Sequence, residues 1–336
     1  MGRLIVHIGT HKTATTTIQR HLARNRRALA ARGIWYPSYD LIGKPRHYAH
    51  LGIVNAFSAQ HAKLTRADAE RFFRDVVARS ADHEATIISA EPFYRHVTYL
   101  RPNEVPGDAE TYWRQREQYV EHVRALFAGA SPEIVVVFRR QADYALSLYQ
   151  QKIRGTRYQK NFATFRRQFW YHFDYLHQAR VWARHFDRLA PLRFEDLVAE
   201  RDPVGCFARH LGLDFSGAQV VDEQNISLPP DAVVIKRALN GSQLDAAAIE
   251  AAMQILMTGP LKGRIRSPGQ RSLYRNRKEM LAFQKTFSED NAALKREFFR
   301  DLPQEGPLFP DTFPRDCAFG DRLDPVLLHD MITLLK

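Results

Sequence analysis

Short apolar runs, each followed directly by a helical stretch, limit the fold more than any other feature of this chain. The clearest run is residues 134–138, and similar runs occupy residues 3–8, 85–89 and, more weakly, 189–194. Strands that alternate with helices form mainly parallel sheets whose two faces are both covered. We therefore predict an α/β fold, a three-layer sandwich with a mainly parallel central sheet. Proline cannot donate to a strand ladder, so Pro191 predicts that the last strand lies at a sheet edge.

The chain has 336 residues, a length that a single α/β domain with helical additions can reach. Helical periodicity predicts helices over residues 13–32, 65–78 and 112–127, and mostly helix after about residue 225. We predict one domain, in which residues 1–225 form the α/β core that carries the ligand sites and residues 226–336 form a mostly helical extension.

The composition favours an anionic ligand but does not identify it. The formal charge is +12, from 49 Lys and Arg against 37 Asp and Glu, which suits an anionic small molecule, an anionic polymer or nucleic acid. Only Cys206 and Cys317 are present, and they lie far apart, so we expect free thiols in a reducing cytoplasm. No apolar run has the length of a membrane span, and residues 1–8 do not resemble a secretory signal. These features predict a cytoplasmic location.

The turn after the first strand has the composition of an anion site. Gly9 allows a tight turn, Lys12 adds a positive charge, and a threonine-rich helix begins near Thr13. The first N–H groups of a helix are unpaired and carry partial positive charge, so they bind phosphate or sulfate. Four threonines in five positions are poor helix formers and suggest a role other than helix stability. The alternative is a threonine-capped surface helix after an edge strand.

This turn differs from the nucleotide-triphosphate loop. In that motif the lysine follows the first glycine by seven residues and is directly preceded by glycine. Here Lys12 follows Gly9 by three residues and is preceded by His11, and the usual acidic partner for magnesium is missing. A kinase is therefore disfavoured.

The segment from Ile8 to Thr17 resembles the 5′-phosphosulfate loop of the sulfotransferases that use 3′-phosphoadenosine-5′-phosphosulfate (PAPS). The bacterial form of that loop is written His-Ile-Gly-x-His-Lys-Thr-Gly-Thr-Thr. The resemblance implies an α/β fold of the P-loop type. The family usually has glycine where this chain has Ala14, whose methyl group either crowds the phosphate or is harmless if the position is already helical. By this resemblance the loop residues that bind PAPS are Gly9, His11, Lys12, Thr13, Ala14, Thr15, Thr16 and Thr17.

A second match follows the 134–138 strand. Arg139 stands at the strand end and Ser147 lies eight residues later, two turns into a helix. Arginine can hold phosphate oxygens with two parallel hydrogen bonds. The spacing resembles the 3′-phosphate signature of the same family, which implies that Arg139 and Ser147 bind the 3′-phosphate of PAPS, with Arg140 as a weaker third member. The alternative is a solvated arginine pair at the start of an amphipathic helix.

The turn after residues 85–89 supplies a candidate general base, Glu91. Sulfuryl transfer to a hydroxyl requires removal of a proton, and several carbohydrate-acting family members use glutamate in this region. The alternative is that Glu91 caps the next turn or pairs with Arg95. His47 and His50 are rival bases or acceptor contacts, although isolated histidines are more often structural.

Together these matches imply transfer of a sulfuryl group from PAPS, as co-substrate and without a metal, to a hydroxyl of an acceptor. The bacterial, carbohydrate-acting resemblance suggests a carbohydrate or glycolipid acceptor. Two other functions remain open: a magnesium-dependent small-molecule kinase and a basic nucleic-acid-binding protein, although no recognition helix or aromatic sheet motif stands out for the second. The basic residues 264–278 either form a solvated face or hold the 3′-phosphate or an anionic acceptor.

Overall fold

The computed structural model describes residues 2–10, 12–97, 105–219, 228–266, 270–310 and 317–334. The chain forms two compact units. The first unit comprises Met1–Arg139, Asp174–Asn225 and Asp290–Leu308, and the second comprises Arg140–Phe173, Ile226–Glu289 and Phe309–Lys336. We predicted one domain in which a core ends and a helical extension begins at residue 225. This organisation stays a prediction.

The described residues contain seven strands, sixteen α-helices and three 3₁₀-helices. The strands are β1 (Arg3–His7), β2 (Ile34–Trp35), β3 (Ala85–Ser89), β4 (Glu133–Phe138), β5 (Arg188–Arg193), β6 (Arg271–Ser272) and β7 (Ala318–Phe319). The helices are α1 (Thr15–Arg24), α2 (Arg26–Ala30), α3 (Leu51–Phe57), α4 (Arg66–Ser80), α5 (Pro92–Arg95), α6 (Ala109–Leu126), α7 (Gln141–Gly155), α8 (Phe162–Gln168), α9 (Tyr175–His185), α10 (Phe194–Ala199), α11 (Pro203–His210), α12 (Pro230–Asn240), α13 (Ala246–Thr258), α14 (Arg277–Lys285), α15 (Ser288–Phe298) and α16 (Pro325–Leu334). The 3₁₀-helices are Tyr39–Ile42, Trp170–His172 and Pro260–Arg264.

A five-stranded parallel sheet in the order β2-β3-β1-β4-β5 forms the centre of the first unit. Val6 of β1 is in register with Ile88 of β3 on one side and with Ile134 of β4 on the other. The predicted parallel sheet is confirmed. Pro191 lies on β5, at the sheet edge, where its missing N–H group is tolerated as the sequence predicted.

Both faces of this sheet are buried under helices, which confirms the three-layer arrangement. On one face, Ile5, Ile87 and Val135 pack with apolar residues of α1, α2, α10 and α11. On the other face, β1 contacts α4, β5 contacts α9, and α6 packs against both of these helices. Because each strand is covered on both sides, the strands are apolar runs rather than alternating patterns.

The helix predicted over residues 13–32 is instead two helices that are separated at Asn25. The side-chain amide of Asn25 donates to the carbonyl oxygen of Gln219 at 3.0 Å and accepts from the N–H group of Gln219 at 2.7 Å. Asn25 leaves helical geometry, with φ −99° and ψ 16°, to make this pair. The break depends on a partner far along the chain, which local periodicity cannot reveal.

The second unit is mostly helical and contains a parallel pair of two-residue strands, β6 and β7. Its apolar core includes Ala232 and Ile235 of α12, Ile249 and Met253 of α13, and Leu327 of α16. The two strands are too short to give a periodic signal, so the sequence did not predict them. In the part of the chain that the structure describes, each helix is too short or too polar to cross a membrane.

Candidate functional site

The loop between β1 and α1 leaves the middle of the sheet and is fixed to β4. The N–H group of Ile8 donates to the carbonyl oxygen of Val135 at 2.9 Å. The hydroxyl of Thr10 donates to the carbonyl oxygen of Val137 at 2.7 Å, and the hydroxyl of Thr13 donates back to the carbonyl oxygen of Thr10 at 2.5 Å. The loop is thus held in place by its own buried hydroxyl groups.

Gly9 is required because the loop passes very close to two side chains. A Cβ atom at this position would lie 2.9 Å from Nε2 of His7 and 3.1 Å from the hydroxyl oxygen of Thr15. Glycine is favoured at this position because a side chain would crowd His7 and Thr15, and the predicted tight turn stays a prediction.

The backbone from Lys12 to Ala14 alternates in the sign of φ. Lys12 has φ 66° and Ala14 has φ 60°, whereas Thr13 between them has a negative φ. Such alternation turns successive N–H groups into one concave, anion-binding nest. A left-handed non-glycine residue costs about 1–2 kcal/mol, and two of them within three positions indicate a functional constraint.

Ala14 is the N-cap of α1, so the position is not helical. No side chain caps the helix, and no acidic residue stands in its first turn. The first intrahelical bond runs from the N–H group of Ile18 to the carbonyl oxygen of Ala14 at 3.1 Å. The N–H groups of Thr15, Thr16 and Thr17 therefore precede the helical ladder and give the helix start a partial positive charge.

Some of the threonine hydroxyls stabilise the loop, and others can contact a ligand. Thr13 is fully buried and donates its proton to the loop backbone, so its hydroxyl stabilises the loop. Thr15 is also buried, and its hydroxyl oxygen lies 3.3 Å from that of Thr13. Thr16 and Thr17 are half-buried at the helix start, which suits contact with a ligand. His11 lies outside the described residues.

Arg139, at the end of β4, contacts the loop between β1 and α1. One guanidinium nitrogen, Nη1, donates to the carbonyl oxygen of Lys12 at 3.1 Å, and the guanidinium carbon lies 4.6 Å from the ring centre of Phe194. The hydroxyl of Tyr175 donates to the carbonyl oxygen of Arg139 at 2.7 Å. The two turns that the sequence assigned to one ligand thus contact each other directly.

Ser147 and Arg140 belong to the second unit. Ser147 is buried, with 5% of its surface exposed, on α7. Arg140 pairs with Asp143, with its Nε 2.7 Å from a carboxylate oxygen, and also donates to the carbonyl oxygen of Pro310 at 3.0 Å. The shared role of Arg139 and Ser147 stays a prediction.

Glu91 is buried directly after β3 and is linked to α1. Its carboxylate accepts a hydrogen bond from Gln19 at 3.2 Å, and the same amide group donates to the hydroxyl oxygen of Ser89 at 3.1 Å. Burial raises the pKa of the Glu91 carboxyl, and the attraction of Arg95 only partly opposes this rise. Glu91 is the N-cap residue of α5, but its side chain accepts no capping hydrogen bond. A buried carboxyl with a raised pKa is a stronger base than an exposed one, which suits proton transfer.

A buried arginine fixes the segment that follows Glu91. Arg116 is fully buried and donates to the carbonyl oxygen of Phe93 at 2.8 Å and to that of His96 at 2.6 Å. Its Nε donates to the side-chain oxygen of Gln178 at 3.0 Å. Arg116 therefore holds one carbonyl group within α5 and one just after the helix. These contacts limit the movement of Glu91.

Both ring nitrogens of His50 form hydrogen bonds within the protein, so neither is placed to accept a substrate proton. Its Nδ1 accepts from the N–H group of Ser89 at 3.0 Å, and its Nε2 donates to the carbonyl oxygen of Pro37 at 2.9 Å. Burial lowers the pKa of His50 to about 4. His47 is exposed, and its Nδ1 lies 2.9 Å from the carbonyl oxygen of Ala49. Both histidines stabilise the chain around them.

Two polar residues at the site were missed by the sequence analysis. His7 is fully buried, and its Nδ1 lies 2.9 Å from the hydroxyl oxygen of Ser89. Burial lowers the pKa of His7 to about 3, so the ring is neutral. Gln19 is fully buried and connects β3 to Glu91. His7 could have been noticed as a polar residue inside an otherwise apolar strand. Gln19 gave no signal beyond lying one turn after Thr15. Among the described residues, no group of three His, Cys, Asp or Glu side chains is arranged to hold a metal ion.

Replacing Ala14 by glycine is expected to stabilise the protein. Glycine removes the left-handed strain, although it also loosens the unfolded chain, so Ala14→Gly should raise the free energy of unfolding by about 0.5–1 kcal/mol. The measurement is urea denaturation. Ala59→Gly, at the other left-handed alanine with φ 55°, should give a similar gain, whereas Ala78→Gly inside α4 should lose about 1 kcal/mol. A loss for Ala14→Gly would contradict the strained conformation.

Replacing Glu91 by glutamine is expected to stabilise the protein increasingly as the pH rises. The folded-state pKa is raised above the usual 4.5, so the stability that this group contributes is present below that pH and is lost as the pH rises through the folded-state pKa. Glutamine does not ionise, so the variant does not lose this stability as the pH rises. Denaturation of Glu91→Gln and of wild type between pH 4.5 and 8 measures the difference, which should grow with pH. Glu121→Gln, an exposed change on α6, is the control, and a difference independent of pH for Glu91→Gln would refute the raised pKa.

The chain was compared with protein-family models, curated proteins and solved structures. No family model and no curated protein matches the chain. The chain is similar to the crystal structure of a sulfotransferase from Alicyclobacillus acidocaldarius, with 15% sequence identity, coverage of 76% of this chain and 96% of that chain, and a TM-score of 0.38. A likeness of this size carries no inference about function, so function is argued from the residues of this chain.

Proposed function

We propose that this chain transfers a sulfuryl group from PAPS to a hydroxyl of an acceptor, a carbohydrate or glycolipid. The observation that carries the proposal is the loop from Gly9 to Thr17. It combines an alternating backbone nest, an uncapped helix start, the charge of Lys12 and a direct contact with Arg139. Each of these four features favours a bound anion, and all four belong to the first unit.

The loop fits the 5′-phosphosulfate group of PAPS. Successive N–H groups from Thr13 to Thr17 can donate to the oxygens of the phosphate and of the transferred group. Lys12 adds a full positive charge beside the bond that breaks. In a loose transition state of the kind described for phosphoryl transfer, negative charge grows on the leaving phosphate oxygen. Donors that are fixed before reaction stabilise that charge without reorganisation.

Glu91 is the proposed general base. The acceptor oxygen forms the new bond to sulfur, the bond between sulfur and the bridging phosphate oxygen breaks, and 3′-phosphoadenosine-5′-phosphate (PAP) leaves. The hydroxyl proton passes to the Glu91 carboxylate. Its burial and its hydrogen bond to Gln19 on α1 support this role, and the engagement of both His50 nitrogens removes one rival.

Arg139 and Ser147 are proposed to bind the 3′-phosphate. Arg139 stacks on Phe194 and donates to the loop backbone, so its guanidinium is already oriented before a ligand binds. This preorganisation reduces the entropy that binding must overcome. The spacing of Ser147 from Arg139 in the sequence supports its role.

Calorimetric titration with PAP, and with ATP plus magnesium, tests the co-substrate. Wild type should bind PAP more tightly than ATP. Lys12→Met and Arg139→Ala should each weaken PAP binding at least about 10-fold, because each removes a charge-assisted contact. Arg27→Ala, an exposed change on α2, should leave the affinity within about twofold.

The same titration with adenosine 5′-monophosphate (AMP) separates the two phosphate sites. Ser147→Ala should weaken PAP binding about 10-fold and leave AMP binding unchanged, because AMP has no 3′-phosphate. Equal losses for both ligands would contradict the assignment of Ser147. Absence of PAP binding to wild type would refute the co-substrate, and tight magnesium-dependent ATP binding would support a kinase instead.

Transfer of labelled sulfate from PAPS to a panel of glycans, glycolipids and small phenols tests the acceptor class and the base. We expect label on glycans or glycolipids. Glu91→Gln should lower kcat at least about 100-fold with little change in PAP affinity, and Glu121→Gln should leave kcat unchanged. In wild type, kcat should fall as the pH drops through the raised Glu91 pKa. Label on phenols alone would contradict the carbohydrate class, and near-normal kcat for Glu91→Gln would contradict the base.

A further inference from the structure

The second unit contains a cavity of about 580 Å³. This volume lies within the range of sites that bind small molecules, about 300–1,000 Å³. Strand β7 and the segment after it form much of its wall. Apolar contact surface comes from Leu273, Phe319, Leu323 and Pro325, and charged surface from five arginines and three acidic residues.

Most charges around the cavity cancel in pairs. Four arginines pair with four carboxylates: Arg166 with Glu279, Arg237 with Asp321, Arg266 with Asp324 and Arg271 with Asp231. Two further lining residues, Arg275 and Arg322, are exposed, and no hydrogen bond or ion pair joins their guanidinium groups to another described residue. The cavity therefore carries a surplus of two positive charges.

Two of the paired arginines also have a buried side-chain donor that lacks an acceptor. The Nε atoms of Arg166 and Arg271 are both buried without a hydrogen-bond partner among the described residues. The Arg271 side chain is only 4% exposed and is held by Asp231 and by the carbonyl oxygen of Gly320 at 3.0 Å. A buried donor without an acceptor costs about 1–3 kcal/mol. Because both Nε atoms are inaccessible to solvent, a ligand in the cavity would have to contact other atoms of these arginines.

Aromatic rings fix Arg166 at the cavity wall. Its guanidinium carbon lies 5.0 Å from the ring centre of Phe162, 4.7 Å from that of Tyr274 and 4.9 Å from that of Phe283. These cation–π contacts and the ion pair with Glu279 hold the guanidinium group in one orientation. The wall is thus preorganised at Arg166.

We propose that this cavity binds a small organic anion that carries a sulfate or phosphate ester. Arg275 and Arg322 hold the charged group, since guanidinium groups match the geometry of such oxyanions. Leu273, Phe319 and Leu323 contact the body of the ligand. Within the basic stretch 264–278, Arg266, Arg271 and Arg275 line the cavity, whereas Arg277 and Lys278 are exposed and do not. The site is built from second-unit residues alone, so it stands independently of the sulfuryl transfer proposed above.

Calorimetric titration of the full chain with glucose 6-sulfate, glucose 6-phosphate and glucose tests the site. Wild type should bind at least one ester about 10-fold or more tightly than glucose, because only the esters carry the charge. Arg275→Ala/Arg322→Ala should weaken ester binding at least about 30-fold. Arg275→Lys/Arg322→Lys, which keeps the charge but not the planar fork, should lose about fivefold.

The matched control is Arg277→Ala/Lys278→Ala, which removes two charges from the same segment outside the cavity and should change ester affinity less than about twofold. Thermal unfolding of each variant confirms that it folds. PAP is titrated in parallel, and its affinity should be unchanged in Arg275→Ala/Arg322→Ala. No ester binding to wild type, or equal binding to the alanine variant, would overturn the proposal. A parallel loss of PAP binding would overturn the independence of this site from the nucleotide site.

Discussion

The hydrogen bonds that hold β1 between β3 and β4 determine where the candidate site residues of the first unit lie. Parallel pairing on both sides brings the carboxyl ends of three strands to one edge of the sheet. Two side-chain hydrogen bonds reinforce this arrangement at the strand ends: Thr10 donates to the backbone of β4, and His7 pairs with Ser89 of β3. Because the three strand ends are fixed, the loop after β1, Glu91 after β3 and Arg139 after β4 all follow strand ends on the same side of the sheet.

Unfavourable local features are concentrated at this edge, whereas the rest of the sheet is apolar and well packed. Lys12 and Ala14 hold left-handed backbone, Glu91 is a buried acid, and His7 is a buried ring that must stay neutral. Each feature lowers stability, and each is maintained by contacts with the surrounding sheet and helices. Strain and shifted pKa values that cluster at one place are the physical signature of a functional site.

The sequence predicted most of the sheet because doubly buried strands are strong local signals. The ranges of β1, β3 and β4 agree with their apolar runs to within one residue, and Pro191 identified the edge. Features that depend on distant partners were not predictable. The helix break at Asn25 needs Gln219, and the link from Gln19 to Glu91 needs the turn after β3. Motif spacing indicated the loop residues, but only the structure separates Thr13, which stabilises the loop, from threonines that can reach a ligand.

The net charge of +12 was a weak guide because some of the arginines stabilise the fold itself. Arg116 stabilises backbone carbonyl oxygens in the first unit, and Arg271 neutralises a buried aspartate in the second. What indicates an anionic ligand is a positive charge that the fold orients but does not neutralise. In the first unit the positive start of α1 has no capping side chain and no acidic residue in its first turn, and in the second unit Arg275 and Arg322 line the cavity without an ion-pair partner among the described residues. The two proposed anion sites therefore rest on the positions of particular residues, and total charge alone would have indicated neither.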